Sequence, residues 1–140
     1  VPSALVDTGA VVALVNRDDR YHDAAASWFR GYRGRLLTTE AVVTETAYVL
    51  AASPPHQYAA LKWFERARAS ALLRIEPIAD YEAIAGIIAR YEDLPCDYAD
   101  ATLIALAESS GVVAIATIDQ RDFSVYRLKG RKRFRILLPG

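Results

Sequence analysis

Several things are scarce in this chain, and each scarcity excludes something. There is one cysteine, Cys96, so no internal disulfide forms, and a lone thiol suits a reducing cytoplasm. The only histidines, His22 and His56, lie far from the acidic motifs described below. Zinc would want such ligands together, so each His reads as a surface or capping residue and Cys96 as a small, partly buried apolar one. No apolar run approaches the roughly 18 residues of a membrane span. No positive stretch precedes the first apolar segment, so no signal peptide is expected. "GxxxxGK" is absent, which removes a P-loop. Linkers, repeats and low-complexity tracts are missing as well, and residues 1–140 are expected to form a single domain. No acid follows Asp122, while "RLKGRKRFR", residues 127–135, carries six bases. The net charge is zero, which argues against bulk attraction to nucleic acid. The basic tail reads either as a phosphate contact or as a solvated loop with a final strand.

The composition that remains, 53% apolar and 24% charged, is that of a globular protein. Apolar runs at 3–7, 35–40, 71–78, 112–118 and 134–138 predict strands, the last an edge. Helices are expected at 8–19, 21–34, 41–52, 55–70, 79–93 and 96–111. Gly31 or Gly34 closes the second, Pro55 sits in the first turn of the fourth, and Gly111 ends the sixth. Ile84, Ile87, Ile88 and Tyr91 share one helix face. Strands alternating with helices predict an α/β fold: a central, mostly parallel sheet flanked by helices in an α/β/α sandwich. In such sheets, sites lie beyond the carboxyl ends of the strands.

Acidic residues stand at those ends. "LVDTG" places Asp7 after the first strand, and "VVAIATID" places Asp119 after the fourth. Glu45 has Val42 three residues before it and Tyr48 and Val49 three and four after, which places it within an apolar helical stripe. Asp100 has Leu103, Ile104 and Ala107 in the same relation, and Asp97 shares its first helical turn. Each acid has a local alternative. Asp7 and Asp97 suit helix N-caps, Asp119 suits the start of a turn in "TIDQRDF", Glu45 suits a helix edge, and Asp100 suits a first-turn acid. Together they make a set that would repel in a low dielectric unless a cation joined them. All-oxygen donors favour Mg²⁺ or Mn²⁺. A carboxylate-held ion without a phosphate-cradling loop suggests phosphodiester hydrolysis.

Four stretches, "LVDTGAVVALVNRDDRYHDAA", "LLTTEAVVTETAYVL", "LPCDYADATLIALAE" and "IATIDQRDF", occur in this order over nearly the whole chain. Together they resemble a PIN domain of the VapC type, found in bacterial toxin–antitoxin pairs. The resemblance implies that Asp7, Glu45, Asp100 and Asp119 are catalytic, with Asp7, Asp100, Asp119 and Asp97 toward the metal and Asp97 as outer ligand or cap. Thr8 and Thr117 are implied as supporting residues, and Asp122 as a weaker candidate. It further implies a Mg²⁺- or Mn²⁺-dependent endoribonuclease cutting single-stranded or loop RNA, often tRNA or rRNA, a homodimer, and an antitoxin that inserts a segment into the acidic site. Two other readings stand beside it. One is a catalytically silent PIN-like protein-binding module. The other is an α/β phosphotransfer or phosphatase domain using Asp7, although no lysine closely follows "VVAIATI" and Asp7 is not part of "DxD".

Overall fold

The computed structural model describes residues 2–94 and 96–138; Pro95, inside the third motif, lies outside them, as do Val1, Pro139 and Gly140. In chain order the elements are β1 (Ser3–Val6), α1 (Thr8–Val15), α2 (His22–Gly31), β2 (Arg35–Thr39), α3 (Glu40–Val49), α4 (Pro54–Ala69), β3 (Leu73–Glu76), α5 (Tyr81–Arg90), α6 (Tyr98–Ser110), β4 (Ala114–Ala116), α7 (Gln120–Val125) and β5 (Arg135–Ile136). Among the described residues the strands make one sheet, ordered β3-β2-β1-β4-β5, and every pairing is parallel. This is the sandwich the alternating pattern predicts.

Both faces of the sheet are covered, so the central strands are apolar on both sides. Ala4, Leu5 and Val6 in β1, and Ala114, Ile115 and Ala116 in β4, are all buried. Their side chains alternate between faces, as the pleat requires. Leu5 and Ile115 join a core with Ile84, Ile87, Leu103 and Ile104 from α5 and α6. Ala4, Val6, Ala114 and Ala116 join the other, with Val11, Ala60 and Phe64 from α1 and α4.

The chain lays down β1, β2 and β3 in one direction, then returns to place β4 on the other side of β1. The order of connection therefore reverses between β1 and β4. A crevice opens there beyond the strand ends, the usual position of a ligand in an open parallel sheet. The sequence after β1 is Asp7-Thr8-Gly9; the sequence after β4 is Thr117-Ile118-Asp119.

Some expectations need correction. The apolar run 112–118 is a strand only over Ala114–Ala116, because its ladder partners reach no further: Leu5 and Val6 pair with Ile115 and Ala116, and β5 pairs with Ala114 and Ile115. The helix expected over 8–19 stops at Val15. Beyond it, Asn16 Oδ1 accepts the Asp18 N–H at 3.0 Å and Asp19 Oδ1 accepts the Tyr21 N–H at 2.8 Å. These side-chain bonds compete with the helical ladder. "QRDFSV", read as part of a turn, is helix α7. On α5, Ile84 and Ile87 are buried but Ile88 is exposed. His22 and His56 have the local roles expected of them, Nδ1 pairing with Ala13 O at 2.8 Å and with Ser53 Oγ at 3.0 Å respectively.

Candidate metal centre

Four elements carry acids into the crevice, and three of the acids are helix N-caps. Asp7 caps α1, its Oδ1 accepting the Ala10 N–H at 3.0 Å. Asp97 caps α6 by accepting the Asp100 N–H at 2.8 Å. Asp119 caps α7 by accepting the Asp122 N–H at 3.1 Å. The cap and cluster readings of these residues are thus compatible: the bond that starts each helix also fixes its carboxylate at the strand ends. Glu45 comes from the middle of α3. Asp7, Glu45, Asp97, Asp100, Asp119 and Asp122 line one open cleft of about 530 Å³ with Thr8, Gly9, Cys96 and Ile118.

The supporting threonines are at work on the acids. Thr117 Oγ1 donates to Asp7 Oδ2 and accepts the Asp119 N–H at 2.9 Å, so one hydroxyl ties the end of β1 to the start of α7. Thr8 Oγ1 donates to Glu45 Oε2 at 2.8 Å. Gly9 permits the close approach of the β4–α7 connection. A Cβ there would lie 3.0 Å from Ile118 Cγ1.

Glu45 reaches the site by a different route from the one expected. Tyr48 and Val49, the proposed members of its apolar stripe, are 81% and 52% exposed. The buried row of α3 is Val42 and Thr46, continued at the same spacing by the C-cap Leu50, and Glu45 flanks it. Around Asp100 the expected pattern is present, since Leu103, Ile104 and Ala107 are all buried.

The tightest group is Asp100, Asp119 and Asp122, each offering a carboxylate oxygen within 4.8 Å of the others. The weak sequence candidate Asp122 is therefore central. Its signal was its position three residues after Asp119, in the first turn of a helix too short to show periodicity. Tyr126 escaped the sequence reading altogether. It is fully buried, and its O–H donates to Asp100 Oδ2 at 3.0 Å. The spacing of three between Phe123 and Tyr126, both buried, was the available sign.

Burial and mutual repulsion raise the pKa values of four of these acids, Asp7, Glu45, Asp100 and Asp122. Burial pushes Asp7 up to about 7 against its bonds from Thr117 and Ala10, with the charges of Asp119 and Glu45 adding to the rise. Asp100 is pushed up to about 8 by burial and then by the Asp97 charge, while the Tyr126 bond opposes. Glu45 is raised by burial despite the Thr8 hydroxyl, and Asp122 by burial and then Asp119. Burial also lifts the Cys96 thiol to about 11, which keeps it a neutral packing residue.

Residues 4–128 match the family described as the PIN domain. This chain belongs to the PIN-domain family. It is also 28% identical over 135 residues to ribonuclease VapC26 of Mycobacterium tuberculosis strain H37Rv, an alignment that takes in 95% of this chain and 98% of that protein. Among solved structures, Mycobacterium tuberculosis VapC20, described as a sarcin–ricin loop cleaving toxin, superposes with a TM-score of 0.74 at 23% identity, covering 84% of this chain and 91% of that one. PAE2754 from Pyrobaculum aerophilum superposes at 0.58 and 19%, covering 97% and 89%. At those identities the two structures speak to the fold alone. The sheet order of this chain differs from the 2-1-3-4-5 order of receiver-like domains, so a receiver-type phosphoacceptor reading of Asp7 has no support from the topology.

Proposed function

We propose that this PIN domain is a Mg²⁺- or Mn²⁺-dependent endoribonuclease, the toxin of a toxin–antitoxin pair, cutting single-stranded or loop RNA such as tRNA or rRNA. The observation that carries the reading is the convergence of Asp100, Asp119 and Asp122 within 4.8 Å at the crevice, beside Asp7 and Glu45. Family membership and the likeness to ribonuclease VapC26 support it.

The donor set suits a hard divalent ion. It is all carboxylate oxygen, its acids are crowded enough for burial and repulsion to raise their pKa values, and the nearby thiol is neutral. Asp100, Asp119 and Asp122 would hold such an ion, with Asp97 at the outer edge. Asp7 flanks them with one bond already accepted on each oxygen, which leaves spare lone pairs for a shared role. When bound, the ion supplies positive charge that stabilises the charge growing on phosphate and leaving oxygen. The chain's own groups supply orientation. Thr117 fixes Asp7, and the capping bonds fix Asp97 and Asp119. Glu45, held by Thr8 and raised by burial, is suited to take a proton from an attacking water.

The reading extends to partners. Exposed Tyr48, Val49, Tyr58 and Leu61 on α3 and α4 offer apolar surface for a homodimer or an antitoxin, and the acidic cleft suits a basic segment of such an antitoxin. No described helix is long and apolar enough to cross a membrane. A catalytically silent module would need no intact acidic set, and here every expected acid is present.

Cleavage of a structured RNA pool in Mn²⁺ tests the proposal. Asp7→Asn and Asp100→Asn should each lower the rate at least 100-fold, about 2.7 kcal/mol in the barrier, with the far-UV circular dichroism of wild type. Undiminished cutting by either folded variant would refute the assignment.

A further inference from the structure

The Asp100 carboxylate is gripped from outside the acidic set. The Tyr126 O–H donates to its Oδ2 at 3.0 Å, and among the described residues no other hydrogen bond reaches that side chain. The Tyr126 ring cannot easily turn away. Tyr91 and Phe123 meet it edge-on with centroids 5.1 and 5.2 Å distant. The backbone is held on both sides as well. The Tyr126 N–H closes α7 on Asp122 O at 3.0 Å. Arg127 is clasped by Tyr91, whose O–H donates to Arg127 O and accepts the Arg127 N–H, both at 2.6 Å. A phenylalanine would fill the same apolar layer, so the hydroxyl is the part of Tyr126 that packing does not explain.

We infer that Tyr126 is a positioning residue for the metal centre: its hydroxyl pins one oxygen of Asp100 and so presents the carboxylate to the ion shared with Asp119 and Asp122. The inference rests on the metal-site reading above. Partners that orient a ligand in this way commonly govern metal affinity by 10- to 100-fold. Tyr126 therefore sets how much ion the site needs, while Asp100 remains the group that touches it.

Tyr126→Phe removes the hydroxyl and keeps the ring. Mn²⁺ binding, read from the electron paramagnetic resonance signal of the free ion, should weaken about 10-fold or more, while the Tm in EDTA stays within about 3 °C of wild type. RNA cleavage by this variant should fall at low Mn²⁺ and recover at saturating Mn²⁺, a rescue that a packing defect would not allow. Tyr91→Phe loosens the clasp on Arg127 but leaves the Tyr126 hydroxyl on Asp100, so it should lose less Mn²⁺ affinity than Tyr126→Phe does. Wild-type affinity in folded Tyr126→Phe, or an equal loss in Tyr91→Phe, overturns the inference and leaves the metal site standing. A wild-type protein that binds no Mn²⁺ overturns both.

Discussion

Asp7 starts a helix and sits buried among other acids, and the two roles pull against each other in stability. The bonds from Ala10 and Thr117 favour its charged form, yet burial outweighs them and lifts it from about 3.8 to about 7. Asp100 is lifted further, to about 8. In the metal-free protein these acids keep their protons to a higher pH when folded than when unfolded. The folded state thus binds more protons between about pH 4 and pH 8, and stability falls as pH rises through that window. Thermal unfolding in EDTA should give a lower Tm at pH 8 than at pH 6. Added Mn²⁺ should restore it at pH 8, since the ion binds the ionised acids. Asp7→Asn should remove part of the fall, because the amide does not titrate, while it can still accept from Ala10 and donate to Thr117. A metal-free Tm that rises from pH 6 to pH 8 would contradict the burial account. Tyr126 extends the same logic: a hydroxyl that satisfies itself on Asp100 also decides where that carboxylate points.

At the scale of elements, the site is built from the places where strands stop and helices start. β1 ends into the cap of α1 and β4 into the cap of α7, which puts Asp7 and Asp119 on adjacent strand ends at the reversal point. Capping and chemistry can be separated at Asp119. Asn keeps the cap and removes the charge; Ala removes both. Cleavage should be lost in both variants, but only Asp119→Ala should be destabilised, by about 1 kcal/mol in urea unfolding. Equal stability of the two would mean that the cap contributes nothing. The same elements show what sequence could reveal. Apolar runs and alternation carried the strands and most helices because burial on both faces demands them. Asp7, Asp100 and Asp119 were visible as charges placed where that pattern should continue. α7 was hidden because six residues show no period, and with it went the weight of Asp122 and the role of Tyr126. Glu45 was found for a partly mistaken reason, since which face of α3 is buried depends on the packing of its neighbours and not on spacing alone.

Across the whole molecule the charges separate although their sum is zero. Six of the seventeen acids line the crevice, and six of the seventeen bases follow α7 with no acid among them. Of these, Arg127 is turned inward, its Nη1 donating to Ser124 O and Val125 O at 2.8 Å, so it serves the end of α7. Lys129, Arg131, Lys132, Arg133 and Arg135 remain exposed. We propose that they follow the RNA backbone. Replacing Arg131, Lys132 and Arg133 with Gln should weaken RNA binding and flatten its salt dependence by about 2 in log–log slope, from roughly 0.7 per contact. An unchanged slope would return the tail to a solvated loop.

We propose that this acidic crevice hydrolyses RNA with the help of a divalent ion and a water molecule. Mapping the ends of the RNA fragments tests it most directly. Attack by water, with the ribose 3′ oxygen leaving, predicts 5′-phosphate and 3′-hydroxyl ends that appear with Mg²⁺ or Mn²⁺ and vanish in EDTA. Fragments ending in 2′,3′-cyclic phosphate, or cutting that persists in EDTA, would show that the neighbouring 2′-hydroxyl does the chemistry and would contradict the account.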